Sequence, residues 1–327
     1  MSRALRCYAD RHCQLEPQPA PPEPGPGEVV IAGHYSAVNY KDALAVTGRA
    51  RILRRLPLTP GIDVAGEVLA SADPRWRPGD AVLVTGCGLG ERIDGGYAAW
   101  VRVPGECVVA LPAGLTPRQA MLLGTAGFTA ALAIQRLEEN HQRPALGPMV
   151  VTGATGGVGS LAVQMLAGLG FDVVAVTGKA DRADWLRGLG AAEILLRQDV
   201  DFGEKPLETA RWGGAIDMLG DDWLAWLTRT VRPHGNIAAV GLAAGYLLET
   251  TVMPFILRGI SLLGINSVDV PAERRRAIWQ RLAGPLRPPR LDDIAAGEIT
   301  LDEVPAWCER MLTGQSHGRM LVRLADA

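Results

Sequence analysis

The segment Val150-Val-Thr-Gly-Ala-Thr-Gly-Gly-Val-Gly-Ser160 carries glycines at 153, 156 and 159. That spacing suits a phosphate-binding turn. One glycine closes the turn, a second lets backbone N–H groups approach a pyrophosphate, and a third permits close packing of helix on sheet. The pyrophosphate would sit at the positive end of a helix starting near Val158, against Thr155, Gly156, Gly157, Val158 and Gly159. A glycine-rich turn without a ligand is the plainer reading. The strand–turn–helix context, at the first strand of an alternating β/α stretch, favours a dinucleotide.

The second strand of that stretch, Val173–Val176, runs into Thr177-Gly178-Lys179. NAD-preferring sheets place Asp or Glu there to accept from the ribose 2′-OH. A hydroxyl and a cation instead suit a 2′-phosphate, so NADPH is the expected cofactor, with Arg182 as a further contact.

Metal and dithiol chemistry find little support. The five cysteines (Cys7, Cys13, Cys87, Cys107, Cys308) show no C-x-x-C pair, and the five histidines no metal-ligand spacing. Reduced thiols in a cytoplasmic protein are expected. The formal charge of −2 gives no general reason to expect nucleic acid as a partner. No signal peptide or membrane span is expected either. Only three of the 33 basic residues are lysines: Lys41, Lys179 and Lys205.

Two domains must position these groups. Residues 1–120 hold short, Val- and Ala-rich segments bounded by turn residues: 28–32, 66–70, 81–85, 98–103 and 108–111, as in an all-β domain. Helical spacing takes over at 117–139. From 149, strands at 149–152, 173–176, 194–196, 215–219, 236–240 and 261–265 alternate with helical stretches, which predicts a doubly wound parallel sheet. Helices near 272–283 and 302–313 follow. The last strand, 320–324, has no place in that sheet and is expected to return to the β domain. The triplet Arg274–Arg276 reads as a solvated helix face.

The chain resembles the medium-chain dehydrogenases/reductases, in the zinc-independent, quinone-oxidoreductase-like branch that contains the NADPH-dependent acrylyl-CoA reductases. The resemblance spans essentially the whole chain. It rests on Asn39-Tyr-Lys-Asp-Ala-Leu44, Pro60-Gly-Ile-Asp-Val-Ala-Gly66, Gly124-Thr-Ala-Gly-Phe-Thr129, the glycine loop and Thr250-Thr-Val-Met-Pro-Phe-Ile-Leu-Arg258. It implies a GroES-like β-rich catalytic domain (1–122 and 267–327) and a Rossmann domain (123–266). Zinc-dependent relatives place a Cys where Asn39 stands, a His at Ile62 and a Cys or Asp near Thr125, so zinc-free chemistry is implied.

Without a Lewis acid, conjugate hydride addition to an activated C=C is the natural reaction, because charge delocalises into a thioester enolate that hydrogen-bond donors stabilise. The resemblance implies that Tyr40 contacts the nicotinamide region and could relay the proton. Asn39 is expected to donate to the thioester carbonyl, and Asp42 to orient Asn39 or Lys41. Thr125, Leu219, Gly241, Leu242 and Arg319 are implied cofactor contacts, Arg319 at the pyrophosphate. Arg49, Arg51, Arg54 and Arg55 are candidates for coenzyme A phosphates.

The function expected is NADPH-dependent reduction of a short 2-enoyl-CoA, foremost acrylyl-CoA to propanoyl-CoA. A quinone or enone reductase and a non-catalytic NADPH-binding protein are the alternatives. Relatives commonly form homodimers through the last strand of the nucleotide sheet, here near Ser261–Ile265.

Overall fold

The structure, a computed structural model, describes residues 2–9 and 12–324. It divides into two compact units, one comprising Met1–Ala126, Ser267–Ala283 and Leu291–Ala327, the other Gly127–Asn266 and Gly284–Arg290.

The first unit opens with a hairpin of β1 (Arg3–Cys7) and β2 (Cys13–Pro17), in which Cys7 lies opposite Cys13. A disulfide joins the two. This corrects the expectation of five reduced thiols: a separation of six residues does not look like a framework, but hairpin register brings the pair face to face. β3 (Glu28–Val38), α1 (Tyr40–Val46), β4 (Asp63–Ser71), β5 (Ala81–Thr85), β6 (Trp100–Pro104) and β7 (Val109–Ala110) follow. The long β3 pairs with both β4 and β6, and its alternation buries Val29 and Ile31 with Val64, Val82, Val101 and Val103. α2 (Pro117–Glu139) is broken at Gly124, whose φ of 50° and ψ of −154° are not helical. It is also the one helix among the described residues that is long and apolar enough to cross a membrane. Its apolar window is 83% buried within the protein, as in a core helix.

The second unit holds β8 (Met149–Val151), α3 (Gly157–Gly168), β9 (Val173–Thr177), α4 (Ala183–Gly188), β10 (Glu193–Leu196), β11 (Trp212–Asp217), α5 (Asp221–Thr230), β12 (Val231–Ala239), α6 (Met253–Arg258) and β13 (Ser261–Gly264). The strands lie in the order β10-β9-β8-β11-β12-β13, every pair parallel. That is the doubly wound Rossmann order, with its switch between β8 and β11. Apolar runs such as Val173–Val176 are buried throughout, as strands covered on both faces must be.

The chain then re-enters the first unit with α7 (Ala272–Ala283), β14 (Ala295–Ile299), α8 (Val304–Leu312) and β15 (Arg319–Arg323). β15 pairs antiparallel with β3 and parallel with β14, so the last strand does return to the β-rich sheet. The intervening segment Gly284–Arg290 belongs to the second unit, where Gln164 and Arg290 exchange hydrogen bonds. Within the Arg274–Arg276 triplet Arg276 is exposed as expected, but Arg275 departs from a solvated face: it is 1% exposed, and its guanidinium donates to the carbonyls of Thr85 and Val268.

Candidate functional site

In the first unit, three elements remote in sequence bring charged side chains together. β3 ends at Val38, and α1 starts directly after Asn39. Asp42, the third residue of α1, accepts the Asn39 backbone N–H at 3.0 Å, the return half of a capping box. Its other oxygen accepts the Ile62 N–H at 3.0 Å, which ties the helix to the strand β4 that begins at Asp63. The Asn39 side-chain amide donates to Asp42 at 3.1 Å and to Asp63 at 2.8 Å.

Arg319, the first residue of β15, completes the cluster. Its guanidinium donates to the Asn39 side-chain oxygen at 2.8 Å and to the carbonyls of Leu122, Met121 and Val38, and lies 3.6 Å from an Asp63 oxygen. Asp63 accepts in addition from the Thr125 N–H, at 2.9 and 3.0 Å to its two oxygens, and from the Thr125 hydroxyl at 2.5 Å. Asp42, Asp63 and Arg319 are each at most 2% exposed. Burial, and then the neighbouring Asp63 charge, push the Asp42 carboxyl up to about 7. The break in α2 serves this cluster. A Cβ on Gly124 would lie 2.5 Å from an Asp63 oxygen and 2.6 Å from an Arg319 nitrogen.

These contacts revise three expectations. Asn39 cannot donate to a substrate carbonyl, because both of its amide hydrogens are taken by Asp42 and Asp63. Asp42 is not a catalytic residue but a positioning one; it orients Asn39, while Lys41 pairs with Glu91 at 2.9 Å. Arg319 cannot reach a pyrophosphate, since its N–H groups are spent on buried acceptors. Tyr40, by contrast, is 44% exposed at the first turn of α1, with its phenol outside the core. Thr125 is half-buried with its hydroxyl hydrogen on Asp63.

The four candidate phosphate-binding arginines separate into two kinds. Arg49 pairs with Glu309 at 2.6 Å, and Arg55 reaches Asp94 and the Arg92 carbonyl. Arg51 and Arg54 are exposed, and neither forms an ion pair among the described residues.

In the second unit, β8 runs through the glycine loop into α3, whose N-cap Gly156 offers no side chain to cap the helix. The first-turn N–H groups are therefore left for a ligand anion. Gly159 is required by proximity: a Cβ there would meet the Gly153 carbonyl oxygen at 2.4 Å. Thr155 is buried beside this turn. At the end of β9 the Lys179 N–H donates to the Thr177 hydroxyl at 3.0 Å. Partial burial lowers the Lys179 ammonium from its usual range. Arg182 is half-exposed beside Asp181, at 3.3 Å. Arg197, which sequence reasoning missed, passes 3.3 Å from where a Gly178 Cβ would lie and stacks over Trp223. Its distance in sequence left no local signal.

Leu219 and Gly241 lie just beyond the carboxyl ends of β11 and β12, and Leu242 beside them is exposed. A buried acid holds this edge together. Asp217 accepts from the Thr152 hydroxyl at 2.6 Å and from the N–H groups of Leu219 and Gly220.

Comparison with known proteins settles the relationship. Residues 25–113 match the alcohol dehydrogenase GroES-like domain, and residues 157–283 the zinc-binding dehydrogenase family. Acrylyl-CoA reductase AcuI of Ruegeria pomeroyi (strain ATCC 700808 / DSM 15171 / DSS-3) is 44% identical over 297 residues, 90% of each chain. The chain belongs to the medium-chain dehydrogenase/reductase family. The crystal structure of the yhdH oxidoreductase from Salmonella enterica in complex with NADP is 45% identical and has a TM-score of 0.93 over 99% of both chains. That of Bacillus subtilis yhfP with NAD bound is 43% identical, with a TM-score of 0.94 over 98% of this chain and 99% of that one.

The protein is thus an oxidoreductase of the quinone-oxidoreductase-like, acrylyl-CoA reductase branch of this family. The donors that zinc would need do not fit the ion: Asn39 has an amide committed to two carboxylates, Ile62 an alkyl chain, and Thr125 a hydroxyl bound to Asp63. The dinucleotide does fit, in the open helix start at Gly156 and beside Gly159, where the Gly153 carbonyl leaves no room for a side chain.

Proposed function

We propose that this reductase saturates the C=C bond of a short 2-enoyl-CoA thioester, foremost acrylyl-CoA, with NADPH as hydride donor and without zinc. The observation that carries the reading is the match over 90% of the chain to a relative named acrylyl-CoA reductase. Bound along the carboxyl edge of the parallel sheet, NADPH would supply the hydride. The backbone N–H groups of Gly157, Val158 and Gly159 would hold its pyrophosphate, as helix N-termini hold anions. Thr177, Lys179 and Arg182, with Arg197 alongside, would take the 2′-phosphate; a carboxylate there would repel it.

In the β-rich unit, Tyr40 is the exposed group with a proton to give, and we assign it the contact with substrate or nicotinamide. The buried cluster below fixes its helix: Asp42, Asn39, Asp63 and Arg319 hold the first turn of α1, and Thr125 is anchored to the same carboxylate. Arg51 and Arg54 are the arginines left for coenzyme A phosphates; Arg49 and Arg55 would first have to release their acids.

The reading includes a homodimer joined through β13, the end strand of the parallel sheet. The exposed Tyr246, Val252, Ile256 and Leu257 in the preceding segment support it. It also includes a cytoplasmic location, favoured by three free cysteines and opposed by the Cys7–Cys13 disulfide.

NADPH oxidation with acrylyl-CoA, crotonyl-CoA and a quinone under one condition tests the proposal. The expected result is a kcat/KM for acrylyl-CoA at least tenfold above that for the quinone. Turnover confined to the quinone would show an enone or quinone reductase instead. Tight NADPH binding with no turnover would show a binding protein.

A further inference from the structure

The β-rich unit holds a cavity of about 350 Å³ at the C-terminal end of α1. Among the described residues, its walls come from the β1–β2 hairpin, from the last turn of α1 and from the loop that follows. That loop is tied at both ends. The Gly48 N–H donates to the Ala45 carbonyl at 3.2 Å, and Leu58 exchanges backbone hydrogen bonds with Cys7 at 2.9 and 3.1 Å. The chain between them, residues 49–57, therefore arches from the helix to the hairpin and encloses the space.

The lining favours one kind of guest. Arg51 is exposed and forms no ion pair among the described residues, so its guanidinium fork is open to an anion. Arg49 adds a second cation, held by Glu309 at 2.6 Å. No described residue of the lining carries a carboxylate. Tyr8 brings an aromatic ring whose phenol donates to Glu16, and Leu53 and Leu56 add apolar surface. A heteroaromatic base stacks on such a ring whatever its edge pattern, and a phosphate suits the fork. Together they fit a nucleoside that carries a phosphate, and the volume lies within the range of small-ligand pockets. The nicotinamide dinucleotide is accounted for elsewhere, by the glycine loop of the parallel sheet.

We propose that this cavity holds the 3′-phosphoadenosine end of the coenzyme A substrate, with adenine on Tyr8 and the 3′-phosphate on Arg51. The assignment rests on the substrate being a coenzyme A thioester, and it names where the nucleotide end of that substrate lies. α1 sets the reach. From Tyr40 to Thr47 its axis advances about 10 Å, at roughly 1.5 Å per residue. An extended pantetheine arm is longer than that, so the acyl group lies at Tyr40 while the nucleotide stays in the cavity. Arg54 is outside the lining, so the 3′-phosphate falls to Arg51 rather than to Arg54.

Steady-state kinetics of the full-length protein at saturating NADPH compare acrylyl-CoA, acrylyl-3′-dephospho-CoA and acrylyl-pantetheine. In the wild type, KM should rise about tenfold when the 3′-phosphate is removed, as loss of one charged hydrogen bond implies, and rise again when the adenosine goes. The kcat should hold, because binding alone is lost. Arg51→Ala should raise KM for acrylyl-CoA by the same factor and leave the other two substrates unchanged. Tyr8→Leu should weaken both nucleotide-bearing substrates and spare acrylyl-pantetheine. Adenosine 3′,5′-bisphosphate should compete with acrylyl-CoA; competition with NADPH alone would overturn the assignment. Equal wild-type KM values for acrylyl-CoA and its dephospho form, or a difference that survives in Arg51→Ala, overturn it too, while the enoyl-CoA reading stands. Turnover of a quinone and of none of the thioesters overturns that reading, and the cavity assignment with it. The wild-type measurements need no variant to fold.

Discussion

Replacing Gly124 with alanine tests whether the buried charge cluster is as tightly built as its geometry implies. Two costs add. The backbone at φ 50° and ψ −154° lies in a region reserved for glycine, and holding a side chain there costs about 1–3 kcal/mol. The new Cβ would also stand 2.5 Å from an Asp63 oxygen and 2.6 Å from an Arg319 nitrogen. Neither atom can swing aside without leaving a buried charge short of a partner, so at least one charged hydrogen bond breaks, worth about 1.5–3 kcal/mol. The sum is about 2.5–6 kcal/mol, or a fall of roughly 5–24 °C in melting temperature for a domain of this size. Gly168→Ala provides the control. That glycine is helical, and a Cβ there would meet nothing within 4 Å, so stability should hold or rise slightly. Thermal unfolding followed by circular dichroism measures both. A Gly124→Ala protein melting within about 2 °C of wild type would refute the claim that Asp63 and Arg319 are immovable.

Three further outcomes follow from the same contacts. Arg319→Lys keeps the charge but loses the fork that serves five acceptors. It should lower the urea-unfolding free energy by about 3 kcal/mol or more, since buried partners are left unsatisfied. Asp42, raised to about 7 by burial, binds a proton in the folded state that it releases near pH 3.9 when unfolded. Its contribution is therefore fully present below pH 4 and is lost as pH rises through 7, at about 1.4 kcal/mol per unit. Urea midpoints at pH 5 and 7.5 should show this fall in the wild type but not in Asp42→Asn. Lys179→Asp should weaken NADPH binding, read by fluorescence titration, by about 10–100-fold, as loss of one charged hydrogen bond implies. NADH binding should change far less, and an equal loss for both would remove the 2′-phosphate argument.

The glycine loop and the parallel sheet were legible because their determinants are local. Gly153, Gly156 and Gly159 lie within one turn, and the buried runs of Val173–Val176 and Met149–Val151 declare strands covered on both faces. Lys179 could be located by counting from that loop. Arg319 could not be interpreted alone. Its partners at Val38 and Asn39 are more than 200 positions away, and only pairing of β15 with β3 brings them into reach. The arrangement of Asn39 and Asp42 depends on Asp63 and Arg319 filling their hydrogen-bonding capacity from other strands. The many charges on its helix predict a solvated Arg275, whereas its carbonyl acceptors lie on β5 and in the loop before α7. The Cys7–Cys13 bond has no signal in the sequence, because β1 and β2 lack a clear apolar alternation that would announce their register.

The chain order of this cluster has a consequence for biosynthesis. Asn39, Asp42 and Asp63 emerge from the ribosome early, whereas Arg319 lies 280 positions after Asn39. At about 5–20 residues per second, the carboxylates wait roughly 15–55 s for their guanidinium. During that interval β3 also lacks β15, leaving its Tyr35–Val38 stretch open beyond the part paired with β6. The parallel sheet is translated in the meantime and can mature first. The β-rich unit, although its first strands precede the parallel sheet, is finished after it, so a truncation before Arg319 would strand the buried Asp63 without its counter-charge.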